Sequence, residues 1–409
     1  MAGNSLLTIN MITREALRLW KNTNSFLQHI SQQYDDQYAR VGAKIGSTLR
    51  IRLPNDYITR KGPAVQVQNT TEVNTSLVLA TQAGVDVSFT TAERELQLDD
   101  YSRRVMAPMV NNLVGSVAAD VMSGAAGGIA NYVANLDASG NIIGPSSSTY
   151  LLAGAALDNQ SAPQGERRAI TDPRTMAVSV SSFSGLLNPT QEISEQYRTG
   201  MLRTAWGMEF HKDQTVLKHV AGTFSAGGTT SSAGQTGLTL AVNAITGTFT
   251  AGDIITIDGV NQVNRITKQS LGTLMQFVVT AAVLTGATSI PIYPSIVPAD
   301  VAGNPVQYQT VDSSPGNAAQ VRLVNPASTT YIQNFLFVPD AVTIAFADLE
   351  EPRGVHEVAR ESYDGVSMRM LTDYVVGTDE MITRLDILYG FAWLRPEWVV
   401  IIADNATTP

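Results

Sequence analysis

The chain of 409 residues has no cysteine, which excludes disulfides, thiolate metal sites and thiol nucleophiles. Charge is scarce as well. Lys, Arg, Asp and Glu together make up 15% of residues, against roughly a quarter in an average globular chain. Ala, Gly, Thr, Ser, Asn and Gln take their place, giving a polar surface that repels its own copies only weakly. Such a surface suits self-association, although secreted adhesins share it. No basic tract stands out and the net charge is −9, so tight binding to nucleic acid through its phosphates is not expected. The few histidines, His29, His211, His219 and His356, are scattered. His211 and His219 are spaced to align on a helix, but no third ligand accompanies them, so no metal site is expected. A GxSxG elbow, a Walker loop and a strand–GxGxxG–helix unit are all missing, which leaves hydrolase and nucleotide chemistry without local support. The carboxylate-rich stretch ADLEEPRGVHEVARESYDG alternates in sign and reads as a solvated face. The expectation is a protein that is not an enzyme and uses no cofactor. No uninterrupted apolar run approaches the roughly 20 residues of a membrane helix, and MAGNSLLTINMITREALRLW lacks the charge order of a secretion signal. A soluble chain made in the cytoplasm, without membrane contact, is expected.

What is present begins with 44% apolar residues and a length that predicts two or three domains. Residues 13–34 read as an amphipathic helix with Leu17, Trp20, Phe26, Leu27 and Ile30 on its apolar side, either an arm or a first helix docked on its own domain. Thr48–Leu53 and Ala64–Gln68 alternate as half-buried strands do, around a turn-rich tip with Pro54, Asn55, Asp56, Gly62 and Pro63. This predicts a long β-hairpin. It is basic, with Lys44, Arg50, Arg52, Arg60 and Lys61 against Asp56 alone. Either the charges keep a sheet edge from aggregating, or the hairpin reaches an acidic patch on a neighbouring subunit. GVDVSFTTAERELQLDDYSRR offers such a patch at Glu93, Glu95, Asp99 and Asp100. VMAPMVNNLVGSVAADVMSG then predicts a helix laid along a sheet. Its ridges are Val105, Met109, Leu113, Val117, Val121 and Met106, Val110, Val114, Ala118, Met122. A strand at Met176–Val180 and a polar helix around QEISEQYRTGMLRTAW follow. GTFSAGGTTSSAGQTG reads as a flexible linker, and about six short strands after it predict a small sandwich or barrel that the polar stretch Asp312–Ala318 closes.

Several of these stretches resemble the major capsid (coat) proteins of short-tailed phages of enteric bacteria, a branch of the HK97-like fold with an inserted β-domain. LQLDDYSRRVMAPMVNNLVGSVAADVMSG resembles the run into and through that family's spine helix. EQYRTGMLRTAWGMEFHKDQTVLKHVAGT resembles the step into the insertion, and GDIITIDGVNQVNRITKQSLGTLMQFVV the insertion itself. QNFLFVPDAVTI resembles the strand after the return, and ILYGFAWLRPEWVVII the closing signature. Order and spacing agree over residues 85–402; the arm and hairpin match in character only. The resemblance implies an α+β chain. An N-terminal arm spans 1–40 and an extended hairpin, the E-loop, 41–82. A peripheral domain with the spine helix spans 83–124 and is completed by about 345–380. The first part of an axial domain spans 125–222, an inserted β-barrel domain 223–312, and the return to axial and peripheral domains 313–409.

The same resemblance implies an icosahedral head shell of pentamers and hexamers enclosing double-stranded DNA without sequence-specific binding. Assembly would take place in the host cytoplasm with a scaffolding protein and a portal protein, and a decoration protein is a further partner to consider. Arg50, Arg52, Arg60 and Lys61 would lie over a neighbour's Glu93, Glu95, Asp99 and Asp100, and Leu17, Trp20 and Phe26 would carry the arm's contacts. Covalent cross-linking through Lys44 or Lys61 is not expected. An encapsulin-like bacterial compartment and a β-rich adhesin or tail module are the alternatives. In the closing segment, Thr383 to Trp393 reads as a strand that starts half exposed and ends buried on both faces. Arg395-Pro396 turns the chain and Trp398–Ile402 returns as a buried strand, and the resemblance puts both strands together in the axial sheet.

Overall fold

A computed structural model describes residues 9–32, 48–60, 62–63, 65, 67–68, 74–90, 102–125, 127–183, 200–363, 365–378 and 380–405. The chain is a mixed α+β protein of two compact units that alternate along the sequence. One comprises Met1–Arg52, Asn74–Val121 and Val342–Leu394; the other Leu53–Val73, Met122–Ala341 and Arg395–Pro409.

The first unit is built on an antiparallel sheet in the order Val342–Ala347, Glu380–Trp393, Val366–Val375, Glu357–Tyr363, with Thr81–Thr90 also paired to Glu380–Trp393. Glu380–Trp393 alternates between half-buried and buried residues up to Arg384 and is buried without interruption from Leu385 to Gly390, but Phe391 and Trp393 are half-buried again, so the strand is buried on both faces in its middle and not, as expected, at its end. Asp386 is wholly buried on this strand, bound by Arg369 Nη2 at 2.6 Å and Arg384 Nε at 2.7 Å. A buried carboxylate persists only with partners of this kind.

The helix Ala107–Ser123 follows a π-helical turn, Ser102–Met106. Both expected ridges are buried, with Val105 half-buried at the entrance. Residues 104–123 are long and apolar enough to cross a membrane by length and composition, and the burial of both ridges accounts for that apolarity. Tyr389 Oη donates to Asp120 Oδ2 at 2.6 Å and Trp393 Nε1 to the Val121 carbonyl at 3.1 Å, tying the helix end to the long strand.

Residues 13–34 do not form one helix. Ile9–Thr23 and Ser25–His29 are separate, because Asn24 leaves helical geometry and its Oδ1 caps the second helix from Leu27 N at 3.0 Å. Thr13, Ala16, Leu17 and Trp20 are buried at i, i+3, i+4, i+7 spacing, the stripe of a helix seated on a sheet. Trp20 meets Phe346 edge-on at 5.7 Å, and Arg14 pairs with Glu361 at 3.3 Å. Leu17, Trp20 and Phe26, expected as arm contacts, are thus buried within this chain.

The hairpin pairs Thr48–Arg52 with Asn74–Val78. The strand expected at Ala64–Gln68 is absent from the described residues there, and Val65 and Val67 are 80% and 88% exposed. Alternation sets which way side chains point, not which strand they pair with.

The second unit carries an eight-stranded mixed sheet in the order Ile142–Ile143, Tyr132–Leu136, Val399–Asn405, Thr330–Phe337, Arg167–Thr171, Met208–Lys212, Thr204–Ala205; Lys218–Val220 also pairs with Thr330–Phe337. The helices Ser147–Asn159 and Pro173–Phe183 accompany it. Ser147–Asn159 is started by a capping box between Ser146 and Thr149. Its Tyr150 packs in a core with Met176, Phe210, Leu336 and Ile402. Met176–Val180 is therefore helical, not a strand. Pro173 suits a first helical turn and Asp172 Oδ2 accepts from Arg174 N at 2.9 Å, while Met176, Ser179 and Val180 satisfy helical spacing equally well. Of QEISEQYRTGMLRTAW, residues 191–199 lie outside the described residues, and Thr204–Ala205 is strand.

The same unit holds a five-stranded antiparallel sheet in the order Gly237–Ala241, Ser289–Ile296, Ser270–Val279, Ile254–Val263, Val321–Leu323. The stretch read as a linker is part of this packing. Phe224 stacks on Phe249 at 4.6 Å and Thr230 is wholly buried. A Gly/Ser/Thr composition marks short residues, which fill tight turns as readily as they loosen a joint. The sheet also runs past the polar stretch Asp312–Ala318, because Val321–Leu323 pairs with Ile255–Ile257.

The closing segment corrects a further expectation. Glu380–Trp393 and Val399–Asn405 do not pair; they enter different sheets in different units. Pro396–Trp398 is a single 3-10 turn between them.

Candidate functional site

No group of three or more metal-ligating side chains occurs among the described residues. Glu93, Glu95, Asp99, Asp100, Lys44 and Lys61 lie outside the described residues. The other basic hairpin residues can be placed. Ile51 is buried while Arg50 and Arg52 on either side of it are exposed, as strand alternation requires. Arg60 is exposed at the tip and donates to the Gly62 carbonyl.

The tip itself makes a cluster of polar contacts with the rest of the second unit. Asp56 accepts from Arg265 Nε at 3.0 Å through Oδ2. Arg265 Nη1 donates to Glu397 Oε1 at 2.7 Å, and Arg395 Nη1 donates to the same oxygen at 3.1 Å. Gln307 Nε2 reaches the Asp56 carbonyl at 2.6 Å, and Tyr308 Oη reaches Asn55 Oδ1 at 3.2 Å. Arg395 lies over the Trp398 ring at 4.9 Å, a cation–π contact that fixes the guanidinium plane. Lys268 completes the group: its Nζ is 3.9 Å from Asp56 Oδ2.

Local sequence explains the geometry. Asn264 Oδ1 accepts from Ile266 N and Thr267 N, and Lys268 N donates back to the Asn264 carbonyl at 2.8 Å. The resulting tight turn puts Arg265 and Lys268 beside the tip, with Lys268 in left-handed backbone at φ 56°. On the other side, the amide of Gln68 closes the tip through Ile58 N and the Ile58 carbonyl. Burial opposes the charge on Arg265, but Glu397 and Asp56 outweigh it and its pKa is raised. For Lys268 burial dominates and Arg265 adds repulsion; Asp56 only partly compensates, so its pKa is lowered.

None of Arg265, Lys268, Gln307, Tyr308 or Glu397 stands out in the sequence as a site residue. The one available signal is Asp56, a lone acid in a basic, turn-rich tip.

A second polar knot lies where the two sheets of this unit meet. Asp253, wholly buried, accepts from His219 Nε2 at 2.9 Å if that nitrogen carries the proton. It also accepts from Gly222 N at 3.0 Å, Thr250 N at 2.7 Å and Asn325 Nδ2 at 3.2 Å. Gln276 adds a two-way bond with the backbone of Tyr132, at 2.8 and 3.0 Å. These contacts join the strand leaving the larger sheet, the strand returning to it and the smaller sheet.

No curated protein sequence matches the chain. Among solved structures, the capsid of Ralstonia phage GP4 aligns at a TM-score of 0.49 and 9% identity, over 95% of this chain and 92% of that one. A structure from Mycobacterium phage Che8 aligns at 0.47 and 10% identity, over 93% and 90%. The virus-like particle from Pyrococcus furiosus aligns at 0.36 and 10% identity, over 95% and 96%. The model of the P22 coat protein family (gene protein 5) matches residues 1–402, nearly the whole chain, and the protein belongs to that family.

Proposed function

We propose that this phage coat protein assembles with its own copies, as pentamers and hexamers, into the icosahedral head shell of a tailed phage that encloses double-stranded DNA. The observation that carries this reading is the coat-protein family match from residue 1 to residue 402. Composition supports it: 15% charged residues lower the repulsion between crowded copies, and weak contacts repeated in closed symmetry make a stable shell that can still correct errors. A scaffolding protein and a portal belong to the same reading, as does assembly in the host cytoplasm, where no membrane is engaged.

The domain plan is part of the proposal. The fold is HK97-like, with the first unit corresponding to the peripheral domain and hairpin stem. The eight-stranded sheet corresponds to the axial domain, and the five-stranded sheet to a β-domain inserted near residue 223. That sheet has its own apolar core around Phe249, Ile255, Phe277 and Ile292, which supports the insertion. In the shell, Arg50, Arg52, Arg60 and Lys61 face a neighbour's Glu93, Glu95, Asp99 and Asp100. Reversing Arg50 and Arg52 to Glu should lower assembly yield and alter its salt sensitivity; unchanged values would remove this pairing.

Negative-stain electron microscopy of the purified protein tests the function. The chain is expressed alone and then with the neighbouring reading frames of its source genome. Closed empty shells, alone or only with one partner frame, are expected. Shells loaded with a folded enzyme would point to a bacterial compartment, and persistent monomers in both cases would overturn the assembly reading.

A further inference from the structure

We propose that residues 406–409 fill a groove of the second unit, where they extend the closing strand Val399–Asn405 and cover an open edge of the five-stranded sheet. The segment is a strap that binds within its own chain. The inference stands apart from the shell function, and its test needs no assembly.

Three observations carry it. First, the groove is built to take an extended peptide. It has a volume of about 560 Å³ and is lined by Leu136, Phe224, Gly227, Val321, Leu323 and Ala327, among others, room for a segment of a few residues. One wall is Val321–Leu323, the last strand of its sheet. Asp258 N donates to the Gln320 carbonyl at 2.9 Å and Val324 N to the Ile254 carbonyl at 2.8 Å. Residues 320, 322 and 324 thus face Ile254–Val263, and Leu323 turns its N–H and C=O the other way. A bridge between Thr229 and Gln320 starts to close that side. It goes no further, because Ala226–Gly227 pairs with Ile245–Thr246 instead. The gap that remains is an open strand edge, and such an edge takes up an added extended segment.

Second, the closing strand arrives at the mouth of this groove. Val399–Asn405 runs parallel to Tyr132–Leu136 with Ala403 beside Ala134, a register that brings Asn405 level with Leu136. On its other side Asn405 pairs with Tyr331, one turn of chain after Ala327. Both Leu136 and Ala327 line the groove. Four more residues in extended form reach about 13 Å from Asn405.

Third, the segment has the right chemistry. Ala406, Thr407, Thr408 and Pro409 carry no charged side chain, and threonine is favoured in strands. The groove sets apolar side chains beside backbone groups that need partners, and an uncharged peptide satisfies both. Once seated, it also hides the edge at Leu323 from other copies, whose own edges would pair with it.

Hydrogen exchange of the full-length chain and of a variant stopped after Asn405, read at single amides by fragment mass spectrometry, tests this. The Leu323 amide should exchange about tenfold faster in the shortened chain, the order expected for the loss of one backbone hydrogen bond, while Thr330–Phe337 keeps its protection. Equal rates at Leu323 would overturn the proposal. Because shortening can disturb the closing strand, Thr407→Asp/Thr408→Asp in the full-length chain is the second variant. Two carboxylates cost nothing in water and much in the groove, so the same rise is expected, and parental rates would overturn the proposal. Dilution separates the chain's own segment from that of another copy. Protection of Leu323 should not change with concentration; protection lost on dilution would give the groove to a second copy and overturn the strap. Failure of the parent chain to form shells would overturn the coat reading and leave these measurements as they are.

Discussion

At the scale of single residues, the closing segment shows why composition alone misleads. Gly390 sits between Tyr389 and Phe391 on the long strand, where the neighbouring side chains are all large. A Cβ there would come 2.1 Å from the Val78 carbonyl oxygen and 3.1 Å from Leu79 Cα. These are backbone atoms, so nothing flexible can yield. Gly390→Ala should destabilise the free chain by about 1–3 kcal/mol, the usual range for overpacking, whereas Gly316→Ala, with nothing within 4 Å of its Cβ, should stay within about 0.5 kcal/mol. Urea unfolding of both variants checks the contrast, and equal stabilities would remove the crossing of backbones as the reason for the glycine. Asp312 gives the pH counterpart. Burial pushes its pKa up, but Asn261 N, Asn261 Nδ2, Ser270 Oγ and Ser313 Oγ all donate to the carboxylate, and the net shift is downward. A lowered folded-state pKa contributes stability above the unfolded value near 4, and that contribution is lost as pH falls through the folded value. Hydrogen exchange at Asn261 should therefore be steady from neutral pH down to the carboxylate range, once corrected for intrinsic rates, and rise below it. Asp312→Asn should flatten that rise; an unchanged profile would assign it to other carboxylates.

At the scale of elements, what was legible depended on whether the pattern had one reading. The spine helix was legible because two i+4 ridges of apolar residues fit no other structure. Met176–Val180 was not, because its alternation fits a strand and its i, i+3, i+4 spacing fits a helix; Tyr150 Oη bonded to Ser179 Oγ at 2.9 Å belongs to the packing that decides it. The tip contact was least legible of all. It joins residue 56 to residues 265, 307 and 397 through turns, and no periodic pattern reports such distances. The pattern of the N-terminal helix fits an arm and a docked first helix alike, and its burial favours the second. Trp20 is 3% exposed and meets Phe346 edge-on. Trp20→Ala should therefore destabilise the unassembled chain by about 3–5 kcal/mol, measured by thermal unfolding of monomers. Monomer stability equal to the parent, with loss confined to assembly, would return Trp20 to the role of an arm contact.

At the scale of the whole molecule, neither unit is contiguous, and both are completed by the last quarter of the sequence. The residues of the first end at Leu394 and those of the second resume at Arg395. The two apolar runs flanking Leu394-Arg395-Pro396-Glu397 read naturally as a strand pair, because a turn between strands is usually a hairpin; here the turn carries the chain from one sheet to another. Val399–Asn405 lies between Tyr132–Leu136 and Thr330–Phe337, and Tyr132–Leu136 reaches the rest of its sheet through that strand. Val399, Val400, Ile401 and Ile402 are 3% exposed or less. At roughly 1.5–3 kcal/mol for each large apolar side chain, they contribute about 6–12 kcal/mol, comparable with the whole stability of an ordinary domain. Removing residues 395–409 should therefore abolish the second unit and leave the strands of the first all present. Hydrogen exchange read by peptide should show Val366–Val375 and Glu380–Trp393 still protected, while Tyr132–Leu136 and Thr330–Phe337 exchange as unfolded chain. Protection of Thr330–Phe337 in the truncated protein would mean that the sheet closes without its central strand. Loss of protection throughout would mean that the first unit depends on the second, and that the chain folds as one cooperative body whose core is completed by its final strand.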